Sequence, residues 1–215
     1  MLCGMDPDTP DDGADAILTS VLERSREHGL LGPGPVEAHL AHSQAWASLV
    51  PEGAHVLDLG SGGGIPGLPL AVERTDCSLV LLDAMAKRGA FLAQAVEALE
   101  LADRVEVRVD RAETAGHDHD LRAAFDVVVA RSFGAPAVTA ECAAPFLRQG
   151  GWLLVSEPPG APEDRWDDEG LEQLGLERVD VISDEFATIR RLRQAAPCPE
   201  RYPRGVGRPS KRPLF

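Results

Sequence analysis

Val56-Leu57-Asp58-Leu59-Gly60-Ser61-Gly62-Gly63-Gly64-Ile65-Pro66-Gly67 reads as a buried strand that breaks into a glycine turn, and the spacing of its glycines decides the fold. Gly60, Gly62 and Gly64 fall at i, i+2 and i+4, so the backbone can pass close to a ligand with torsion angles that other residues resist. Asp58 adds a carboxylate at the strand end. A Walker-type phosphate loop needs Gly-x-x-x-x-Gly-Lys-Ser/Thr, and no lysine follows Gly67. The dinucleotide fingerprint Gly-x-Gly-x-x-Gly needs a glycine where the chain has Ile65, so close approach to a pyrophosphate is not encoded. What remains suits a nucleoside ligand without a pyrophosphate, the other reading being a turn that only packs.

The same Gly-x-Gly-x-Gly spacing occurs in the turn of class I methyltransferases, which passes the methionine part of S-adenosylmethionine. Asp58, Gly60, Gly62 and Gly64 are therefore cofactor-binding candidates. With 215 residues, 44% hydrophobic and 26% charged, the chain has the size of one α/β domain with its own core. It contains no run of about 18 apolar residues, and residues 1–15 carry five aspartates rather than a basic leader, so a soluble, cytoplasmic protein without a membrane partner is expected. Cys3, Cys77, Cys142 and Cys198 form no Cys-x-x-Cys pair, which argues against a metal knuckle and a disulfide framework. No metal is expected, and a monomer is.

The net charge of −14 opposes nucleic-acid binding, but its distribution does not. From Arg190 to Phe215 eight basic residues face one acid, a balance of +7 that leaves −21 on the rest of the chain. Such asymmetry points to an anionic partner for the basic end, the alternative being a solvated tail.

Residues 1–15 are acidic and rich in Asp, Pro and Gly, and disorder is expected there; residues 16–195 make a single domain and 196–215 a basic Pro/Arg-rich segment. Helical spacing predicts helices over 16–28 and 36–49, separated by Gly32-Pro33-Gly34-Pro35. Beyond Pro51-Glu52-Gly53, strands at 55–59, 78–82, 105–109, 125–130 and 152–155 alternate with helices at 69–73, 87–99 and 135–146. A helix over 163–174 follows, and the runs 177–183 and 187–192 are close enough to form a hairpin. The expected fold is α/β: a Rossmann-like, doubly wound, mostly parallel seven-stranded sheet of the class I methyltransferase type, with a terminal antiparallel hairpin and two N-terminal helices.

Ligands of open α/β sheets lie at the carboxyl ends of the strands. Asp83 ends the second strand, 23 residues after Gly60, where a carboxylate can accept both ribose hydroxyl hydrogens. The third strand ends in Asp110-Arg111-Ala112-Glu113, placed for an adenine edge. Any one of these acids could be a loop carboxylate or a helix cap, but at successive strand ends they suggest a shared site. The fourth strand ends Val129-Ala130-Arg131-Ser132-Phe133, without the Asp/Asn-Pro-Pro-aromatic segment of exocyclic amine methylation or the cysteine of 5-carbon pyrimidine methylation. A ring nitrogen such as guanine N7 has an in-plane lone pair and no proton to lose, so alignment matters more than a base. Arg131 would clamp the methionine carboxylate or the guanine as the catalytic candidate, the alternative being a strand-end salt bridge.

These residues resemble the glucose-inhibited division protein B family, the bacterial small-subunit ribosomal RNA guanine-N7 methyltransferases. The likeness runs through Val56 to Ala71 with its Pro-Gly-Leu-Pro extension, Leu81 to Arg88 with Phe91-Leu92, Arg111-Ala112-Glu113, and Phe125-Asp126-Val127-Val128 followed by Arg131. It closes with Tyr202-Pro203-Arg204 and Pro209 to Leu214, all in family order. The resemblance implies S-adenosylmethionine as cofactor, with Gly60 and Ile65 lining it, Asp83 on the ribose, Ala112 and Glu113 at the adenine, and Arg131 closing the site. It further implies ribosomal RNA or the small ribosomal subunit as partner, with Lys87, Arg88, Arg204, Lys211 and Arg212 neutralising phosphates.

The chain departs from the family pattern after the fifth strand, where Ser156-Glu157-Pro158-Pro159-Gly160 stands in place of a Lys-Gly and an acid replaces a cation near the substrate mouth. His39 and His42 share a helix face, but a pair alone is a poor metal site, and His117-Asp118-His119-Asp120 reads as a polar loop. The alternatives to ribosomal RNA methylation are a diverged methyltransferase for a small molecule or another RNA, and a non-catalytic cofactor-binding regulatory module.

Overall fold

The computed structural model describes residues 12–215. Helix α1 (Asp12–Glu27) begins four residues inside the segment expected to be disordered; the rest of that segment lies outside the described residues. Arg24 and Arg26 occupy its last turn, where the helix dipole favours positive charge. Leu18, Val21, Leu22 and Ser25 form its buried face. The helix stops at Gly29, whose positive φ of 68° allows the Leu30 amide to reach back to the Ser25 carbonyl (2.9 Å).

The chain continues through α2 (Val36–Ala47), β1 (His55–Leu59), α3 (Gly67–Glu73), β2 (Ser78–Asp83), α4 (Ala86–Ala98), β3 (Val105–Val109) and α5 (Ala112–Ala115). Then come β4 (Phe125–Ala130), α6 (Pro136–Ala143), a 3-10 turn at Ala144–Phe146 and β5 (Leu147–Ser156). A second 3-10 turn at Glu163–Arg165 leads to α7 (Asp168–Glu172), β6 (Leu176–Ser183), β7 (Thr188–Gln194) and α8 (Arg208–Lys211). The seven strands lie in the order β3-β2-β1-β4-β5-β7-β6. The first five in that order are parallel, and β7 runs antiparallel to both β5 and β6, as the hairpin reading expected.

β1 and β4 lie side by side where the strand order reverses, which opens a crevice beyond their carboxyl ends. Both strands are covered on two faces, which is why they read as nearly unbroken apolar runs: Val56, Leu57, Val127, Val128 and Val129 are fully buried. Leu22, Trp46, Leu68 and Leu92 belong to the core on one face, and Phe146, Trp166, Leu171 and Tyr202 to the core on the other.

One expectation needs correction. The helix expected over 163–174 is broken, because Trp166 turns its indole into the core and donates to Glu157 (2.7 Å), after which Asp167 caps α7 by accepting from the Gly170 amide (2.7 Å). Residues 196–215 pack against the body of the chain. Arg122 donates to the carbonyls of Cys198, Pro199 and Tyr202, Tyr202 is buried, and the Phe215 ring lies against Gly170.

Helix α1 also supports the glycine turn, since the buried Ser25 hydroxyl donates to the Gly63 carbonyl (2.9 Å). A Cβ at Gly63 would lie 2.8 Å from the Leu30 carbonyl oxygen, and backbone cannot step aside as a flexible side chain can. Gly63→Ala should therefore cost about 1–3 kcal/mol of unfolding free energy by overpacking. Chemical denaturation measures it, and an unchanged midpoint would mean that α1 is not seated on the turn.

Candidate active site

The turn after β1 is held by hydrogen bonds from four of its amides. Those of Gly60 and Ser61 donate to the Leu82 carbonyl (2.8 and 3.0 Å), that of Gly62 to Asp83 Oδ2 (2.9 Å) and that of Gly67 to Asp58 Oδ2 (3.1 Å). Gly60, Gly62 and Gly64 all take positive φ, but they face different surroundings. A Cβ at Gly60 would lie 2.7 Å from the Phe133 ring at the crevice, and one at Gly62 would meet only the Gly60 carbonyl at 3.7 Å. At Gly64 it would run into Leu68 and make ordinary contact with Leu92 at 3.5 Å, so this glycine serves packing against α3. Ile65, only 7% exposed, belongs to the same core cluster as Leu68 and Leu92.

A cavity of 160 Å³ lies at the ends of β1, β2 and β4 and beyond β3, bordered by Gly60, Asp83, Asp110, Ala112, Glu113 and Phe133 among others. The structure thus brings together the strand-end acids singled out in the sequence. Asp83 accepts from the amides of Gly62 (2.9 Å) and Met85 (2.8 Å). Ionised carboxylates only accept, so three of them on one wall match a ligand rich in hydroxyl and amino hydrogens and would repel a pyrophosphate. Leu59, Leu82, Ala84 and Val138 supply apolar surface for a flat ring. Below the turn, burial pushes the Asp58 carboxyl up to about 7, and its Oδ1 has no hydrogen-bond partner among the described residues. That orphaned acceptor fits a cationic amine. The donor set suits S-adenosylmethionine on both counts.

Phe133 also borders a second cavity of 620 Å³, whose wall includes His42, Arg131, Ser156, Glu157, Arg165 and Asp184. The left-handed Ser132 (φ 55°) stands between Arg131 and Phe133. Arg131 Nη2 donates to His39 Nδ1 (2.7 Å), and since a guanidinium only donates, His39 carries its proton on Nε2, facing the Gly32 carbonyl at 3.3 Å. Burial, then the charge of Arg131, lowers the His39 pKa. Trp46 donates to His42 Nδ1 (3.2 Å), so His42 Nε2 donates to the Ser156 hydroxyl (3.1 Å). Burial first, then Arg131 and His39, holds His42 down to about 4. Each histidine thus uses its one lone pair inside the protein, and neither belongs to a metal pair.

Glu157, the acid expected at the substrate mouth, is 7% exposed and accepts from Arg165 Nη1 (2.6 Å) and Trp166 Nε1 (2.7 Å). Its charge is answered within the fold, and the cation of that pair borders the cavity.

The cations expected to meet RNA divide into two groups. Lys87, Lys211 and Arg212 are exposed. Arg204 is instead turned inward: its backbone amide, Nε and Nη2 all donate to the fully buried Glu141, at 2.8, 2.8 and 2.6 Å. Arg88 reaches Asp83 at 3.3 Å with its side chain 38% exposed. Phe133 and Ser210 on the first cavity lie within segments noted in the sequence but were not named as site residues, and Glu141 lies in no such segment. Among the described residues no group of three His, Cys, Asp or Glu could hold a metal ion, and no helix is long and apolar enough to cross a membrane.

Residues 22–158 match the GidB family, described as rRNA small subunit methyltransferase G. The ribosomal RNA small subunit methyltransferase G of Parasynechococcus marenigrum is 36% identical over 171 residues, covering 74% of this chain and 66% of that relative. The protein of the same name from Roseiflexus castenholzii is 36% identical over 173 residues, covering 75% and 71%. The match to the first of these spans just under two thirds of the relative's length. Among solved structures, an O-methyltransferase from Bacillus cereus in complex with SAH superposes with a TM-score of 0.58 at 18% identity, covering 87% of this chain and 94% of that one. Aeropyrum pernix fibrillarin with natively bound S-adenosyl-L-methionine gives 0.55 at 18% identity, covering 72% and 76%. At these identities the likeness is one of fold, that of class I methyltransferases. The match over residues 22–158 and the identity to these relatives make this chain a member of the GidB family of small-subunit ribosomal RNA methyltransferases.

Proposed function

We propose that this protein is an S-adenosylmethionine-dependent methyltransferase acting on N7 of a guanine in small-subunit ribosomal RNA. The observation that carries the reading is the meeting of Asp83, Asp110 and Glu113 with Gly60 in one cavity at the β1–β4 switch, in a chain of this family. In this reading Asp83 holds the ribose hydroxyls, Ala112 and Glu113 flank the purine, and Asp58 with the Gly60 to Gly62 turn holds the methionine part. The bound cofactor would supply an electrophilic methyl group on a sulfonium. Arg131, held by His39 in the adjoining cavity, orients the acceptor base by donating to its oxygen. Proton removal is not needed at a ring nitrogen, which agrees with two neutral histidines whose lone pairs are already engaged.

Incubation with methyl-labelled S-adenosylmethionine and small-subunit RNA lacking its native methylation should give labelled 7-methylguanosine by nucleoside mass spectrometry. Label at another position, or none, would overturn the proposal.

His42 is neutral in the folded chain to about pH 4, whereas a free imidazole titrates near 6.5. Between those values the unfolded chain binds more protons, so stability falls as the pH drops through this window. His42→Gln should flatten the pH dependence of the unfolding free energy there, and an identical slope would show that the imidazole is not kept neutral.

Phosphate contacts by Lys211 and Arg212 predict that changing both to Gln lowers the slope of log affinity for RNA against log salt by roughly 0.7–0.9 per cation. An unchanged slope would take α8 out of the RNA interface.

A further inference from the structure

The segment after Tyr202 forms a strap with three attachments. At its base, Arg204 binds the buried Glu141 through its backbone amide and two guanidinium nitrogens, and Nη2 also donates to the Arg212 carbonyl (2.7 Å). One guanidinium thus ties both ends of residues 204–212 to a single buried carboxylate. Just before it, His117 Nε2 meets the Pro203 carbonyl (2.8 Å). In the middle, the Gly207 amide donates to Glu113 Oε1 (2.8 Å), so one oxygen of the acid expected at the adenine edge is already engaged. From this strap Ser210 reaches the first cavity, the one C-terminal residue among those that border it.

The cavity volume of 160 Å³ is below the roughly 300–1,000 Å³ of small-molecule sites. With the strap seated there is room for part of a nucleoside and no more. The adjoining strand ends, β1, β2 and β4, belong to a sheet whose core is buried on both faces. The strap, by contrast, carries the exposed Val206 beside Gly205, whose Cβ position would be open. It is the wall that can give.

We infer that the Arg204–Arg212 strap is a donor-binding element, which shifts outward at the Gly207–Glu113 contact to admit the adenosyl group and closes over it with the Ser210 hydroxyl as its contact. The inference rests on the first cavity being the donor site. It differs from the sequence-based expectation, which gave this segment to RNA alone, and makes Arg204 a positioning residue rather than a phosphate ligand.

The test uses the full chain, with S-adenosylhomocysteine as the probe, in calorimetry and in hydrogen exchange followed by mass spectrometry. Wild-type protein should bind, and exchange over residues 204–212 should slow in the complex. Ser210→Trp, which places a large ring at the cavity mouth from an exposed position, should weaken binding at least tenfold while the melting temperature of the free protein stays the same. Binding by wild type with unaltered exchange over the strap, together with equal affinity for Ser210→Trp, would overturn the strap proposal alone. No binding by wild type would overturn the donor-site reading and the strap proposal with it.

Discussion

Two carboxylates at the ends of neighbouring strands, Asp58 on β1 and Asp83 on β2, fix the glycine turn by accepting from the amides of Gly67 and Gly62. A glycine-rich stretch has more backbone freedom to lose than any other sequence, and without such anchors it would sample many shapes. Charge-assisted hydrogen bonds to backbone amides are among the stronger polar contacts available to a fold. The burial they demand is costly, as the raised pKa of Asp58 records. Asp83 has a second task, since it also borders the first cavity, so the side chain that shapes the turn shapes the ligand wall as well.

The order of elements was legible because parallel strands covered on both faces leave long apolar runs, and the terminal hairpin because too few residues separate its strands to build a helix. The cavity acids were legible for a related reason: in a parallel sheet, residues at corresponding strand ends converge on one edge. The packing share of Gly64 was not legible, because a glycine spaced for ligand clearance looks the same as one spaced for packing until Leu68 stands opposite it. The single turns α5 and α8 are four residues each and leave no periodic trace. The break at Trp166 depends on an acceptor nine residues upstream that helical spacing does not report.

Charge was the least legible property. A count of basic residues places Arg204 with Lys211 and Arg212, yet its partner Glu141 lies 63 positions away in sequence and is fully buried. A buried carboxylate left without its cation is strongly destabilising, so Arg204 is committed to the fold before any RNA arrives. The basic end of the chain therefore has two kinds of cation, one spent on architecture and one turned to solvent, and only the solvent-facing kind can respond to ionic strength.

Glu157 and Arg165 behave as a single unit, joined at 2.6 Å with the acid almost fully enclosed. Removing Arg165 alone leaves the enclosed acid without its cation, whereas removing Glu157 alone leaves a guanidinium that is a third exposed to solvent. Divergence at this spot should therefore lose the acid before the cation, and a column-by-column comparison that scores the acid as a reversal of polarity at the mouth misses the arginine that offsets it.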